Sequence, residues 1–162
     1  MSMSNITRAQ FLRGGWGSNK KTVIRPPWSV TEDSFTDLCN RCGACLDSCP
    51  EKIIVNGSGK FPIIDFQKGE CTFCQACANA CQYRAFKPLS EKPWQITAEI
   101  KDTCLSKIGV VCQSCSEVCD QGAIHFSLQM GGVPDISLDN TQCNGCGACV
   151  SICPKNAIKI SA

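Results

Sequence analysis

Four cysteine runs with nearly identical spacing constrain this chain more than any other feature. The last run, residues 143–154, reads Cys-Asn-Gly-Cys-Gly-Ala-Cys-Val-Ser-Ile-Cys-Pro. Three cysteines two residues apart, a fourth after three more residues and then proline form the bacterial ligation pattern of a [4Fe–4S] cluster. Two intervening residues let successive thiolates reach different iron corners of one small cube, and small residues let backbone N–H groups approach its sulfides. The run therefore predicts a loop folded around such a cluster.

All sixteen cysteines of the chain fall in four runs of this kind, and we expect every one of them to be a cluster ligand. Four [4Fe–4S] clusters are therefore predicted. The ligands are Cys39, Cys42, Cys45 and Cys49 in the first run, Cys71, Cys74, Cys77 and Cys81 in the second, Cys104, Cys112, Cys115 and Cys119 in the third, and Cys143, Cys146, Cys149 and Cys153 in the fourth.

The segments between the runs also repeat. Residues 53–65 and 123–138 each predict a hairpin of two short strands around a glycine-containing turn. Pro62 and Pro134 each lie nine residues before the first cysteine of the next run. The chain is therefore predicted to be an α+β protein of two bacterial-ferredoxin-like 2[4Fe–4S] units in tandem. In each unit an internal pseudo-twofold relates the two cysteine runs. Short hairpin strands and a short helix after each fourth cysteine are expected, with little regular secondary structure.

These repeats divide the chain into four parts. Residues 31–87 and 104–162 are the predicted ferredoxin-like units, and residues 88–103 connect them. Within the connector, residues 96–100 alternate like a strand and are expected to pack against a neighbour. Residues 1–30 form a leader with five basic and no acidic residues, whereas the rest holds eleven basic and fourteen acidic ones. Trp16 and Trp28 are expected to be exposed there, so the leader is either a solvated, partly disordered segment or a docking segment.

The pairing of the runs follows from a rule for two-cluster ferredoxins, in which the fourth cysteine of each run ligates the other cluster. Applied to consecutive runs, the rule assigns Cys81 to the cluster of the first run and Cys49 to that of the second. It assigns Cys153 to the cluster of the third run and Cys119 to that of the fourth. A nested pairing of first with fourth and second with third stays open, although the matched hairpins favour the sequential one.

Zinc and disulfide bonds are the alternative roles for the cysteines. A zinc site uses two pairs of cysteines and has no need of a third regularly spaced one in the same loop. No apolar signal segment follows Met1 and no run is long enough to span a membrane. A reducing cytoplasm is therefore expected, where paired cysteines are more often metal ligands than disulfides. The net charge of +2 gives no reason to expect a nucleic-acid partner.

The third run departs from the pattern, because seven residues separate Cys104 from Cys112 where the other runs have two. One interpretation is a harmless bulge; the other is a cluster that is more exposed, more labile or differently tuned. Asp120 replaces the proline after this run, and its carboxylate is expected to disfavour adding an electron to the neighbouring cluster.

His125, the one histidine, lies in a strand pattern and is assigned a structural role. No nucleotide-binding glycine motif or nucleophile–base pair is evident, so the chain is not expected to be an enzyme.

The stretch Ile-Arg-Pro-Pro-Trp at residues 24–28, the first and fourth runs and the expanded third run together resemble the NapF family of ferredoxin-type accessory proteins of periplasmic nitrate reductase. The resemblance covers essentially the whole chain. It implies a cytoplasmic iron–sulfur protein that binds the immature catalytic subunit of that reductase and assembles or reduces the subunit's own [4Fe–4S] cluster before export. The alternative is a general polyferredoxin that carries electrons for another redox complex, with other redox proteins as its partners.

Overall fold

The computed structural model describes residues 23–127, 129 and 132–161. Its regular elements are short, as expected for a small chain in which metal sites supply the cross-links. The helices are α1 (Glu32–Leu38), α2 (Ala44–Asp47), α3 (Ala76–Asn79), α4 (Ser114–Glu117) and α5 (Ala148–Ser151). The strands are β1 (Ile54–Asn56), β2 (Pro62–Ile64), β3 (Thr97–Ile100), β4 (Ile124–Ser127), β5 (Asp135–Leu138) and β6 (Ile158–Ser161). The predicted low content of regular structure is confirmed.

Within the described residues the strands form three antiparallel pairs, β1 with β2, β4 with β5 and β3 with β6. The first two pairs are the predicted hairpins, although Gly131 of the second turn lies outside the described residues. The third pair places Thr97 opposite Ser161 and Ile100 opposite Ile158. It confirms the prediction that residues 96–100 form a strand packed against a neighbour. This part of the connector pairs with a strand of the second unit.

The helices α2 to α5 contain the third cysteine of their runs and end before the fourth, so the prediction of helices after each fourth cysteine is wrong. Each begins one residue before the third cysteine and ends two residues before the fourth. The two cysteines are four residues apart, a spacing that puts side chains on one face of a helix in successive turns. A single helical turn therefore presents both cysteines to the same side, where the two metal sites of a unit are expected.

After each fourth cysteine the backbone makes the same tight turn. The third residue along has a positive φ, between 48° and 59°, and these residues are Lys52, Arg84, Gly122 and Asn156. The next residue is almost completely buried, and these are Ile53, Ala85, Ala123 and Ala157. The fourfold repeat of the sequence is thus a fourfold repeat of backbone structure, and the turn returns the chain to the core after every run.

Residues 23–30 pack on the first unit, and the expectation that Trp28 is exposed is wrong. The Trp28 side chain is only 4% exposed, and its indole N–H donates to the carbonyl of Glu91 at 2.9 Å. Ser29 forms an antiparallel bridge with Phe86, which closes the first unit much as the β3–β6 pair closes the second. The stability gained by burying an indole explains why this tryptophan turns inward. Trp16 lies outside the described residues.

The two units share one buried core. Its apolar side chains come from both halves, and include Ile53, Ile64 and Phe66 from the first and Ile96, Ile124 and Ile158 from the second half. A shared core of this kind fixes the units relative to one another, because separating them would expose apolar surface. Among the described residues, no helix combines the length and the apolar character that a membrane crossing requires.

Candidate metal centres

The structure gathers the cysteines into four groups of four, which we call sites I to IV. Site I is formed by Cys39, Cys42, Cys45 and Cys81, around a cavity of about 400 Å³ including its open mouth. Site II is formed by Cys49, Cys71, Cys74 and Cys77, around about 330 Å³. Site IV is formed by Cys119, Cys143, Cys146 and Cys149, around about 340 Å³. The remaining four cysteines, Cys104, Cys112, Cys115 and Cys153, make up site III, where burial, and then the charges of the other three, raise the pKa of Cys115.

These groups have the composition that sequential pairing of the runs requires, with the fourth cysteine of each run exchanged within a unit. The nested pairing would need Cys153 beside the first run, and the structure places Cys153 in the other unit. Within the described part of the chain, no three His, Cys, Asp or Glu side chains converge in the way that a single metal ion requires. The cysteines of sites I, II and IV surround open cavities instead.

The backbone of three ligand loops alternates in handedness. The second and fourth residues after the first cysteine have positive φ angles, and they are Arg41 and Gly43 at site I, Phe73 and Gln75 at site II, and Gly145 and Gly147 at site IV. Alternating conformations turn successive N–H groups toward one concave side, an arrangement that binds anions and many iron–sulfur groups. Four thiolate donors around such a concavity fit a [4Fe–4S] cluster in both shape and charge.

Backbone amides also donate hydrogen bonds to cysteine sulfurs in the second unit. The N–H of Ala157 lies 3.3 Å from Sγ of Cys153. The N–H of Ala123 lies 3.4 Å from Sγ of Cys119, and that of Ala98 lies at the same distance from Sγ of Cys143. Hydrogen bonds to the sulfurs stabilise the extra negative charge of a reduced cluster, so they favour a higher reduction potential.

Burial dominates the electrostatics of the inner cysteines. It raises the pKa of the thiols of Cys45, Cys71 and Cys115 to about 11 and of those of Cys77 and Cys149 to about 12, with neighbouring thiolates adding to the effect. Without metal these groups carry protons at neutral pH. Iron binding therefore has to release the protons, and the positive charge of iron removes the repulsion among the thiolates.

The loop of site III is built differently from the others. Residues Ser106–Ile108 form a 3₁₀ turn, and the buried Ser106 hydroxyl donates to the carbonyl of Cys112 at 2.9 Å. Gln113, which precedes α4, has a φ of −129°, so the alternation seen in the other loops is missing. The side chains of Ile108, Val110 and Val111 are 57%, 47% and 63% exposed. The insertion is thus an ordered turn that carries an apolar surface beside site III.

Carboxylates adjoin the sites, and sequence reasoning singled out only Asp120. Glu51 lines the site II cavity at an exposed position. Asp120 follows Cys119 of site IV and is exposed. Glu70 precedes Cys71, lines the site II cavity and is half-buried. Burial, with the charge of Glu70 added, raises the pKa of Cys146 at site IV. Glu70 and Cys146 are far apart in the sequence, and no spacing predicts that they interact. The only sequence feature that could have identified Glu70 is its position next to Cys71. His125 is exposed in β4 opposite Ser137.

Comparison with known proteins agrees with this architecture. Two 4Fe-4S dicluster domain families match the chain, one over residues 38–86 and the other over residues 110–157. These matches correspond to the two units. They confirm the predicted tandem ferredoxin-like fold, and they establish binding capacity for four [4Fe–4S] clusters.

Curated relatives match the chain over most of its length. The ferredoxin-type protein NapF of Escherichia coli strain K12 is 39% identical over 154 residues, which cover 95% of this chain and 93% of the relative. NapF of Haemophilus influenzae is 42% identical over 170 residues, covering 99% and 97%. The methylamine utilization ferredoxin-type protein MauM of Methylobacillus flagellatus is 32% identical over 150 residues, covering 82% and 64%. The chain is thus similar over most of its length to ferredoxin-type proteins of two names, NapF and MauM.

Proposed function

Because the chain belongs to the ferredoxin-type NapF family, we propose that it binds the immature catalytic subunit of periplasmic nitrate reductase in the cytoplasm. There it assists that subunit's maturation before export, by assembling or reducing the subunit's own [4Fe–4S] cluster. The observation that carries the proposal is similarity to NapF proteins over nearly the full length of both chains. Neither task requires a catalytic residue of the chain, so it acts as an iron–sulfur accessory protein and not as an enzyme.

Each of sites I to IV holds one [4Fe–4S] cluster through its four cysteines in this proposal. A bound cluster supplies one-electron redox chemistry. The chain's own groups would hold it in place: the thiolates would be the ligands, and the N–H groups of the alternating loops would supply hydrogen-bond donors on the concave side. The amides of Ala98, Ala123 and Ala157 orient three of the sulfurs. At sites III and IV these contacts would also favour acceptance of an electron.

The contact surface for the catalytic subunit is proposed to be the apolar surface of the site III insertion, formed by Ile108, Val110 and Val111. Ile152 adds a fourth exposed aliphatic side chain and is adjacent to Cys153 of the same site. Exposed apolar side chains grouped in this way mark interaction surfaces, because a partner that covers them removes them from water. A partner seated there is also brought directly against a metal site.

The test of the proposal is an anaerobic binding assay of the cluster-loaded full chain. The catalytic subunit is presented in its immature form, which bears the export signal, and in its mature form. We expect binding to the immature form alone. Absence of binding to either form, with normal iron content and redox cycling, would contradict the proposal.

Two changes to the chain locate the contact. Ile108→Ser combined with Val111→Ser is expected to weaken binding by about tenfold, equivalent to about 1.4 kcal/mol. Val23→Ser is the matched control, because Val23 is similarly exposed but belongs to none of the metal sites. Removal of residues 1–22 tests the leader separately. Residues 23–30 stay in that variant, because they are packed into the first unit.

A general electron carrier for another redox complex is the second candidate function. Similarity to a methylamine utilization protein favours it, since that relative serves a different system by its name. Normal redox cycling without binding to either form of the nitrate reductase subunit would support this candidate.

A further inference from the structure

Sites II and IV meet at the boundary between the two units. The backbone N–H of Cys71, in site II, donates to the carbonyl of Cys146, in site IV, at 2.8 Å. Among the described residues, no other hydrogen bond joins residues 31–87 directly to residues 104–161. The direct polar link between the units is therefore made by two proposed ligands of different sites.

Close packing holds the two ligand loops together at this point. Gly147 follows Cys146 and lies so close to Phe66 of the first unit that a Cβ atom there would overlap the ring. A Cβ atom on Gly145 would lie 2.6 Å from the carbonyl oxygen of Ile96. Only glycine permits these approaches, and its positive φ at both positions adds a second reason for it. The sequence of the site IV loop is thus fitted to the junction as well as to a cluster.

Trp94 joins both loops through a single side chain. Its indole N–H donates to the carbonyl of Asn144, in the site IV loop, at 2.8 Å. Its ring packs edge-to-face on Phe73, between two cysteines of site II, with centroids 5.5 Å apart. The same ring lies 6.1 Å from that of Phe66. Trp94 is therefore a positioning residue for the junction and lines neither the site II nor the site IV cavity.

We propose that the four sites form one electron path in the spatial order I, II, IV, III, with the crossing between units at the Cys71–Cys146 contact. The proposal rests on the ligation of sites I to IV put forward above. Sites I and II are tied to each other by the exchange of Cys49 and Cys81, and sites III and IV by the exchange of Cys119 and Cys153. Because electron transfer slows steeply with distance, the contact between sites II and IV is the natural crossing. Each crossing is a one-electron exchange: one site is oxidised as the other is reduced, and no proton or further reactant is needed.

The ends of this path carry most of the exposed apolar side chains of the described residues. Ile108, Val110, Val111 and Ile152 lie at site III, whereas Leu38 and Tyr83 lie at site I. Partners that bury these two surfaces would deliver electrons to one end and take them from the other. Sites II and IV are the interior steps between those ends.

The experiment compares two variants of the full chain, each of which keeps one site in each unit. Cys42→Ser with Cys112→Ser keeps sites II and IV. Cys74→Ser with Cys146→Ser keeps sites I and III and leaves the backbone of the junction in place. Both are reduced anaerobically, and their iron content and electron paramagnetic resonance spectra are recorded. No partner protein enters the assay, so its outcome is independent of nitrate reductase binding.

In the variant with sites II and IV, we expect spectral splitting and faster spin relaxation from coupling between two reduced sites. In the variant with sites I and III, we expect two independent signals. Independent signals from the first variant, or coupling in the second, would overturn the proposed order.

A second comparison keeps all sixteen cysteines, in case the first variants do not retain their remaining sites. Gly147 and Gly43 occupy equivalent loop positions with φ of 86° and 85°, but Gly43 has no neighbouring atom within 4 Å of an added Cβ. Both substitutions strain a backbone of positive φ, so the difference between them reports the junction: Gly147→Ala is expected to weaken the coupling in the fully reduced chain more than Gly43→Ala does. Trp94→Phe should lower the coupling less than Trp94→Ala. Identical spectra for the two glycine variants at full iron content would contradict the proposal.

Discussion

The loops of sites III and IV belong to the same unit, yet they present their metal sites to different surroundings. Both runs place their third cysteine on a helix of four residues and bury the residue after the closing turn. Loop IV alternates in handedness and packs against the first unit. Loop III substitutes a 3₁₀ turn and exposes aliphatic side chains. The comparison teaches that the common repeat fixes where the ligands lie, whereas the rest of each loop decides whether it packs on the other unit or carries exposed aliphatic side chains. The cysteines of site III are themselves buried or half-buried.

Removal of iron is expected to have the largest effect on stability, because loops III and IV both depend on a bound metal site to hold their cysteines together. Each site ties together segments far apart in sequence, such as Cys81 and the first run, and the strands are too short to hold the fold alone. Chelated, anaerobic protein should lose its near-ultraviolet circular dichroism and its cooperative unfolding transition. Return of both signals after reconstitution with iron and sulfide is the control, and an unchanged spectrum of the iron-free chain would refute the prediction.

Shortening loop III is expected to make it resemble loop IV. Deletion of residues 106–110 leaves Cys104-Leu105-Val111-Cys112, the spacing of the other runs. The deletion also removes Ser106, whose buried hydroxyl holds the carbonyl of Cys112. Loss of the site III cluster in air should therefore be several-fold faster, and binding of the catalytic subunit should fall with the lost apolar surface. The measurements are the decay of visible absorbance in air and the anaerobic binding assay. Decay no faster than in the unaltered chain would show that the insertion does not protect the site.

A single hydroxyl tests whether the turn of loop III is an ordered structure. Ser106→Ala leaves the carbonyl of Cys112 without its partner and should destabilise the loaded protein by about 1 kcal/mol. It should also hasten iron release from site III. Ser116→Ala is the matched control, because that hydroxyl donates to Gln113 over the same 2.9 Å but at an exposed position. Equal effects of the two substitutions would mean that burial of Ser106 has no special role.

The smallest effects concern reduction potentials. Glu70→Gln removes a negative charge beside sites II and IV, so reduction becomes easier and the midpoint potential should rise by some tens of millivolts, about what a partly screened charge produces. Asp120→Asn should raise the potential of site IV by less, because water screens the exposed Asp120. Redox titrations followed by electron paramagnetic resonance measure both shifts. A larger shift in midpoint potential for Asp120→Asn than for Glu70→Gln would show that Asp120 has the stronger effect on its neighbouring cluster, contrary to this prediction.

Local spacing explains what could be predicted from the sequence. The interval between cysteines is set by the size of a cube, and the hairpins by alternating apolar residues around glycine, so neither requires knowledge of distant contacts. The helices are predicted in the wrong place because the alternating residues before α2, α3 and α5, and not a capping residue after the fourth cysteine, start these turns. Gly43 shows this most clearly, since its left-handed backbone immediately precedes α2.

Long-range contacts account for what the sequence did not reveal. The composition of residues 24–28 favours an exposed segment, but Trp28 is buried through its bond to Glu91 and its packing on Phe73. The contact between Cys71 and Cys146 and the position of Glu70 depend on how two complete units pack. No local sequence pattern predicts these contacts, because the loops of sites II and IV each have the sequence of an ordinary cysteine run.

Native mass spectrometry of the anaerobically isolated full chain tests the four-site assignment most directly. The expected result is a dominant species with the mass of the 17.5 kDa chain plus four [4Fe–4S] clusters. A Cys81→Ser variant, which removes one ligand of site I alone, should shift the dominant species to three intact clusters. A chain that carries zinc, or that holds two clusters when isolated under the same conditions, would contradict the assignment.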